Sequence, residues 1–152
     1  MLFEKIKVYA FVGPSGTGKS YRAQMVASEK GIHFIIDDGL LIMDNEIVAG
    51  LSAKKAPTKI ETVKHALFYE NEERKPIEKA LKKYKPDKIL ILGTSDGMVQ
   101  KIASNLGLPE ISETTYINEV ATEEEMQTAR HIRVTEGKHV IPVPTFELKK
   151  DF

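Results

Sequence analysis

Eight residues near the start of the chain combine glycine, lysine and serine at a spacing that suits phosphate chemistry. Residues 13–20 read GPSGTGKS and fit the pattern G-x-x-x-x-G-K-[ST] without a mismatch. Glycines let the backbone wrap closely around phosphate oxygens, in conformations that a side chain would forbid. The N–H groups of such a loop and of the next helical turn then point at the anion. The segment therefore predicts a binding site for a phosphate-bearing ligand.

The flanking residues supply the elements that such a loop needs. Before it, Ile6–Val12 is an apolar run typical of a buried strand, and after it Tyr21–Lys30 fits a helix that Gly31 ends. In this strand–loop–helix context, the segment resembles the Walker A motif of the P-loop NTPase superfamily. The resemblance implies that Lys19 reaches the β- and γ-phosphates and that the Ser20 hydroxyl binds Mg²⁺.

The nucleotide-contacting residues expected on this basis are Gly13, Ser15, Gly16, Thr17, Gly18, Lys19, Ser20 and Tyr21. The guanine-recognition motif Asn/Thr-Lys-x-Asp of GTPases is absent from the sequence. We therefore expect ATP, with Mg²⁺, as the default ligand.

Two carboxylates follow the second predicted strand. Asp37 and Asp38 close the segment 32–39, and ligands of open α/β sheets bind beyond the carboxyl ends of strands. Either carboxylate could hold Mg²⁺ or orient a substrate, and Asp37 is the first choice. The sequence Asp-Asp-Gly is equally compatible with a plain turn that has no role in binding. In many P-loop NTPases the strand beside the P-loop strand ends in a metal-binding aspartate. Gly93 stands there in this chain, which leaves Asp96 or the Asp37–Asp38 pair for the metal. Alternatively, Thr94 and Ser95 contact a ligand directly, and Ser95 or Asp96 caps the next helix.

Basic residues in two other segments are candidates for phosphate contacts. Arg130 and Arg133 lie three apart on a predicted helix, and similar arginine pairs in small P-loop kinases stabilise the transferring phosphate. They also suit a solvated helix C-terminus, where cations are favoured. Lys54, Lys55 and Lys59 lie in or next to a predicted loop, 44–57. They could meet a second substrate or simply be solvated.

Composition limits the remaining possibilities. The chain has 152 residues, 41% of them hydrophobic, which suits a single nucleotide-binding domain over 1–152. The formal net charge of 0 makes nucleic acid an unlikely partner, and the absence of cysteine excludes disulfides and thiolate chemistry. No apolar run approaches the roughly 20 residues of a membrane span, and the first residues do not resemble a signal peptide. We expect a cytoplasmic protein.

The order of predicted elements indicates an α/β fold. Strands are expected at 6–12, 32–39, 88–93, 114–120 and 139–148, and helices at 19–30, from Thr58, at 76–84, 98–106 and 122–133. This order resembles the nucleoside/nucleotide-kinase-like P-loop core. The resemblance implies a three-layer sandwich with a five-stranded, mostly parallel sheet of order 2-3-1-4-5. The chain is small for an AAA+ or RecA-type motor and fits a minimal nucleotide-binding core.

Two functions fit these features. The first is a Mg²⁺-dependent phosphotransferase or ATPase, in which Lys19, Asp37, Arg130 and Arg133 act on ATP and on a small-molecule phosphate acceptor. The second is a nucleotide-binding module with little turnover, whose ATP occupancy sets binding to a protein partner. The missing aspartate at position 93 and the lack of an arginine- and glycine-rich lid favour the module. A nucleic-acid-linked ATPase using the three lysines is a weaker third possibility.

Overall fold

The structure is a computed structural model that describes residues 3–14, 16–50, 66–68 and 70–120. In these residues, six strands form one mixed sheet. The strands are β1 (Lys7–Val12), β2 (Phe34–Asp37), β3 (Leu40–Met43), β4 (Glu46–Gly50), β5 (Lys88–Gly93) and β6 (Ile111–Tyr116). The helices are α1 (Lys19–Glu29), α2 (Asn71–Tyr84) and α3 (Asp96–Asn105), and a 3-10 helix covers Ile117–Glu119.

The strand order is β4-β3-β2-β5-β1-β6. The strands β2, β5, β1 and β6 run parallel, whereas β3 and β4 extend the sheet antiparallel from β2. The α/β class is confirmed, but five mostly parallel strands in the order 2-3-1-4-5 are not. The strand expected at 139–148 lies outside the described residues.

Alternating side chains of β1 fill two cores, one on each face of the sheet. Tyr9 and Phe11 pack with buried residues of α1, including Val26. Val8, Ala10 and Val12 pack on the opposite face with residues of α2 and α3, including Ile77 and Val99. The period of two along a strand explains this division, and it places helices on both sides of the sheet.

The hairpin of β3 and β4 replaces part of the loop expected at 44–57, so this prediction was wrong for residues 46–50. Asp44 and Asn45 both have positive φ, 47° and 75°, and form the two-residue turn that joins the strands. Asx residues tolerate this left-handed conformation, and its twist matches that of paired strands. The Asp-Asn pair was therefore a hairpin signal. Residues 51–57, with Lys54 and Lys55, lie outside the described residues, as does Lys59.

Helix α2 begins five residues before the predicted start at Pro76. Glu70 and Glu73 form a reciprocal capping box, and the backbone N–H of Glu70 donates to Glu73 Oε1 at 3.1 Å. Arg74 anchors the same turn by donating to the carbonyl of Phe68 at 3.2 Å. These bonds offset the backbone hydrogen bond that Pro76 cannot make. The run 72–75, expected as a solvated connection, is therefore helical.

The fourth predicted strand, 114–120, is shifted in the structure. β6 starts at Ile111 and stops at Tyr116, where the chain turns into the 3-10 helix. The backbone N–H of Tyr116 bonds to Glu119 Oε2 at 2.6 Å, which fixes the turn and ends the strand. The predicted helices from Thr58 and at 122–133 fall largely or wholly outside the described ranges. No helix within those ranges is long and apolar enough to cross a membrane.

Candidate nucleotide site

The loop after β1 places two of its glycines in the left-handed region of backbone conformation. Gly16 and Gly18 have φ of 75° and 89°, values that L-residues with a side chain rarely adopt. Thr17 is buried at 2% exposure and its hydroxyl donates to the carbonyl of Pro14 at 2.6 Å, which closes the loop on itself. Lys19 Nζ donates to the same carbonyl at 3.3 Å and so lies back over the loop. Ser15 is outside the described residues.

The N-terminus of α1 is open to an anion. Gly18 is its N-cap, and none of the described side chains caps the first turn. That turn also carries no acidic residue. The first N–H groups of a helix have no partner inside the helix, and the helix dipole places partial positive charge there. The arrangement can therefore accept phosphate oxygens.

The Ser20 hydroxyl donates to Asp37 Oδ2 at 2.7 Å. Asp37 ends β2, which is separated from β1 by β5, and α1 packs across all three strands. Because α1 crosses the sheet in this direction, Ser20 in its first turn lies next to the end of β2. A hydroxyl and a carboxylate oxygen form a donor set suited to Mg²⁺, a hard cation that prefers oxygen. The two side chains expected to hold the metal are thus adjacent.

The other candidate carboxylates have different surroundings. Asp38 has a φ of 54° and occupies the turn between β2 and β3. Asp96, at the first position of α3, accepts a hydrogen bond from the Tyr116 hydroxyl at 2.9 Å. This hydrogen bond, and to a smaller extent the negative charge of the carboxylate, raises the pKa of Tyr116 above its ordinary value. The contacts therefore favour Asp37 over Asp96 as the partner of Ser20.

Gly93 explains why the end of β5 carries no carboxylate. A Cβ added at Gly93 would lie 2.6 Å from Val99 Cγ1 of α3. Helix α3 packs directly on this position, which leaves no room for a side chain. The departure from the usual P-loop pattern is thus linked to the close packing of α3 on the sheet.

A cavity of about 340 Å³ lies beside the turn between β2 and β3. It is lined by Gly39, Gly50, Phe68, Glu70, Glu72, Glu73 and Pro76. Three glutamates make its electrostatic potential unfavourable for triphosphate. The nucleotide phosphates are therefore better matched to the start of α1 than to this cavity.

The remaining expected contacts divide into two groups. Tyr21 is described and 51% exposed at the start of α1, where a bound nucleotide can reach it. Arg130 and Arg133 lie outside the described residues, so their place at the site stays a prediction. Within the described part of the chain, no group of three His, Asp or Glu side chains forms a ready-made metal centre.

Sequence reasoning missed one residue that touches the loop. Ile117 is buried at 4% exposure and lies against Gly13. It was assigned to a fourth strand, and an isoleucine in an apolar run carries no local signal of such a contact. Its packing depends on β6 lying beside β1, which becomes evident only in the folded sheet.

Comparison with known protein families gives a match to the model described as "ATPase family associated with various cellular activities (AAA)", over residues 9–115. No curated protein and no solved structure matches the chain significantly. The matched region contains the P-loop, Asp37, Asp96 and β5, and it covers well over half of the chain. The size of the chain, small for an AAA+ motor, thus does not exclude it from the family. The chain belongs to the AAA family of the P-loop NTPase superfamily, which indicates ATP as the nucleotide of the Gly13–Ser20 loop.

Proposed function

We propose that the protein binds ATP with Mg²⁺ at the Gly13–Ser20 loop and hydrolyses it. The observation that carries this proposal is the 2.7 Å hydrogen bond between Ser20 and Asp37 beside the uncapped start of α1. This hydrogen bond places two oxygen atoms that suit Mg²⁺ next to a helix N-terminus that suits phosphate. Hydrolysis is preferred to phosphate transfer onto a small molecule because ATPase activity is what membership of the AAA family suggests.

Different residues of the chain would bind the phosphates, neutralise their charge and hold the metal. The N–H groups at the start of α1 would bind phosphate oxygens and fix their orientation. Lys19 would turn from the Pro14 carbonyl to the phosphates, where its charge offsets negative charge that develops on the leaving group. Ser20 and Asp37 would hold Mg²⁺, which supplies further positive charge next to the phosphates.

Calorimetric titration with ATP and with GTP, in the presence and absence of Mg²⁺, tests the proposal. The same samples are then assayed for released phosphate. Lys19→Ala is the test variant, and Lys79→Ala, at an exposed position of α2, is the matched control. We expect Mg²⁺-dependent ATP binding and turnover in the wild type and the control, and loss of turnover in Lys19→Ala.

Each other outcome has a defined meaning. Wild-type turnover in Lys19→Ala would reject the assigned role of Lys19. Tight ATP binding with almost no phosphate release would support the alternative function, a nucleotide-binding module that acts on a protein partner. Phosphate transfer that rises when a small-molecule acceptor is added would identify a phosphotransferase. Absence of ATP binding would reject the proposed function as a whole.

A further inference from the structure

The corner at the end of β6, which we define as residues 116–119, contacts the first glycine of the P-loop. A Cβ added at Gly13 would lie 2.5 Å from Ile117 Cγ2 and 2.7 Å from Ile117 Cβ. Ile117 therefore fills the space that a side chain at position 13 would need. The same added Cβ would lie 3.4 Å from Thr17 Oγ1, so Ile117 reaches the loop where Thr17 closes it.

The contact belongs to the core on the α1 side of the sheet. Ile117 packs in the cluster that contains Phe11 and the buried residues Ala23 and Val26 of α1. Close packing of this kind leaves little freedom for movement of the contacting backbone. The start of the P-loop is thus held between its own helix and the corner.

Tyr116 ties the same corner to α3, on the opposite face. It is paired with Val12, the last residue of β1, and β5 flanks β1 on the other side. The Tyr116 hydroxyl donates to Asp96 Oδ1 at 2.9 Å, at the first residue of α3. This bond links the end of β6 to the segment that follows β5, and β1 lies between those two strands.

Internal hydrogen bonds fix the shape of the corner. The N–H of Tyr116 donates to Glu119 Oε2 at 2.6 Å, and the N–H of Val120 donates to the Ile117 carbonyl at 3.1 Å. The turn can therefore present Ile117 and Tyr116 to opposite faces as one unit. Neither residue type is suited to acid–base chemistry here, because one is apolar and the other already donates to a carboxylate.

We propose that Ile117 and Tyr116 are positioning residues for ATP, which hold the Gly13 end of the P-loop in its phosphate-binding conformation. The inference rests on the proposed function, since it concerns the same nucleotide site. Phosphate binding by backbone N–H groups depends on their alignment, and a displacement of about 1 Å at a site can cost up to about a hundred-fold in rate. Ile117 acts through packing on Gly13, and Tyr116 acts through Asp96.

Isothermal titration with Mg²⁺ and ATP, together with KM and kcat for phosphate release, tests this role. The variants are Ile117→Ala, Ile117→Val and Tyr116→Phe. Ile102→Ala is the matched control, because Ile102 is equally buried but packs in the cluster on the other face. Circular dichroism sets a temperature at which every protein compared is fully folded.

We expect Ile117→Ala to raise the Kd for ATP and the KM about ten-fold, with kcat changed less. Ile117→Val keeps the Cγ2 methyl group and is expected to stay within about two-fold of the wild type, as is Ile102→Ala. Tyr116→Phe is expected to raise KM about three-fold, because the loop keeps its packing but loses one tether.

An equal Kd for Ile117→Ala and Ile102→Ala, with wild-type ATP binding intact, would overturn this inference and leave the proposed function standing. Absence of ATP binding by the wild type would overturn both. If Ile117→Ala does not fold, Ile117→Leu against Ile102→Leu makes the same comparison, because leucine keeps the side-chain volume but has no methyl group on Cβ to contact Gly13. A weakened affinity confined to the Ile117 variant would then support the role, and equal affinities would reject it.

Discussion

Two helices start at the same edge of the sheet, after neighbouring parallel strands, yet their N-termini differ in chemistry. Helix α3 follows β5, and Ser95 Oγ accepts a hydrogen bond from the N–H of Met98 at 3.1 Å. Asp96 adds a negative charge in its first turn. Helix α1 follows β1 and has Gly18 as its N-cap, with neither a capping side chain among the described residues nor an acidic residue in that turn.

The difference shows how the N-terminus of α3 serves the stability of the fold, whereas the N-terminus of α1 is left to bind a ligand. At α3, the chain supplies its own oxygen and its own negative charge, so the partial positive charge of the helix end is already neutralised. At α1, the corresponding N–H groups are left for an external anion. The two arrangements differ in the N-cap residue, serine at α3 and glycine at α1, and in the charge of the first turn.

Gly18→Asp should have the largest effect, because it gives α1 the negative charge that α3 has. Aspartate is one of the few residues with a side chain that occasionally adopts a left-handed conformation, so the variant should fold at some cost in stability. A carboxylate about 4 Å from a phosphate is repelled by about 4 kcal/mol per charge pair near a protein surface, which corresponds to a loss of more than about 100-fold in ATP affinity. Titration calorimetry with ATP measures the loss.

Gly18→Asn is the control for this prediction, since it has the same shape and no charge. We expect it to bind ATP much better than Gly18→Asp. Equal loss of affinity in the two variants would show that the shape of position 18, and not its charge, distinguishes α1 from α3.

Asp37→Asn should have the next largest effect, on the requirement for Mg²⁺. The variant keeps a hydrogen-bond acceptor for Ser20 but loses the charge that would attract the metal. We expect the Mg²⁺ concentration that gives half-maximal ATPase activity to rise about 10- to 100-fold. Asp38→Asn is the matched control, because it removes the same charge one residue away, in the turn. A larger effect in Asp38→Asn would transfer the metal role to that residue.

Ser95→Ala should weaken α3 without affecting the nucleotide. Loss of an N-cap serine costs about 1 kcal/mol of unfolding free energy, because one N–H group loses its partner. Urea unfolding measures this cost, and calorimetry should give an unchanged Kd for ATP. Ser95→Asp retains a capping oxygen and should recover the stability. A changed ATP affinity in Ser95→Ala would mean that the Ser95 cap contributes, together with the Tyr116–Asp96 bond, to positioning the P-loop.

The sequence predicted best those elements whose signals are local. The glycine pattern, the run before it and the apolar residues of β5 each identify their element without knowledge of the fold. Asp37 was placed at the right edge because the carboxyl ends of parallel strands share one side of the sheet. Its hydrogen bond to Ser20 depends in addition on how α1 crosses β5, which no local pattern encodes.

The features that were missed depend on contacts between distant segments or on overlooked caps. The contact of Ile117 with Gly13 requires β6 to lie beside β1. The early start of α2 depends on a glutamate cap, Glu70, which is less common than serine or aspartate. The β3–β4 hairpin, by contrast, has a local signal, because the Asp44-Asn45 pair favours a two-residue turn.

The smallest effect predicted here is a pH dependence at the start of α3. Tyr116 donates to the Asp96 carboxylate, which disfavours tyrosinate and raises the pKa of Tyr116 above its ordinary value. Because the folded pKa is raised, the stabilisation is fully present below the unfolded pKa and is lost as the pH rises through the folded pKa. Stability at neutral pH should therefore be insensitive to this ionisation, and any loss should appear only in alkaline solution. No similar pH dependence of stability is expected at the start of α1, whose first turn has no acidic residue.

Titration followed by carbon-13 NMR of labelled tyrosine measures this pKa, and Tyr116→Phe assigns the signal among the five tyrosines. Asp96→Asn should lower the pKa of Tyr116 towards its ordinary value, because the amide carries no charge to oppose the tyrosinate. Asp87→Asn, which removes a charge from the turn before β5, should leave it unchanged. An unchanged pKa in Asp96→Asn would mean that the hydroxyl does not bond to Asp96 in solution. The tether between the corner and α3 would then be lost, and Ile117 alone would hold the start of the P-loop.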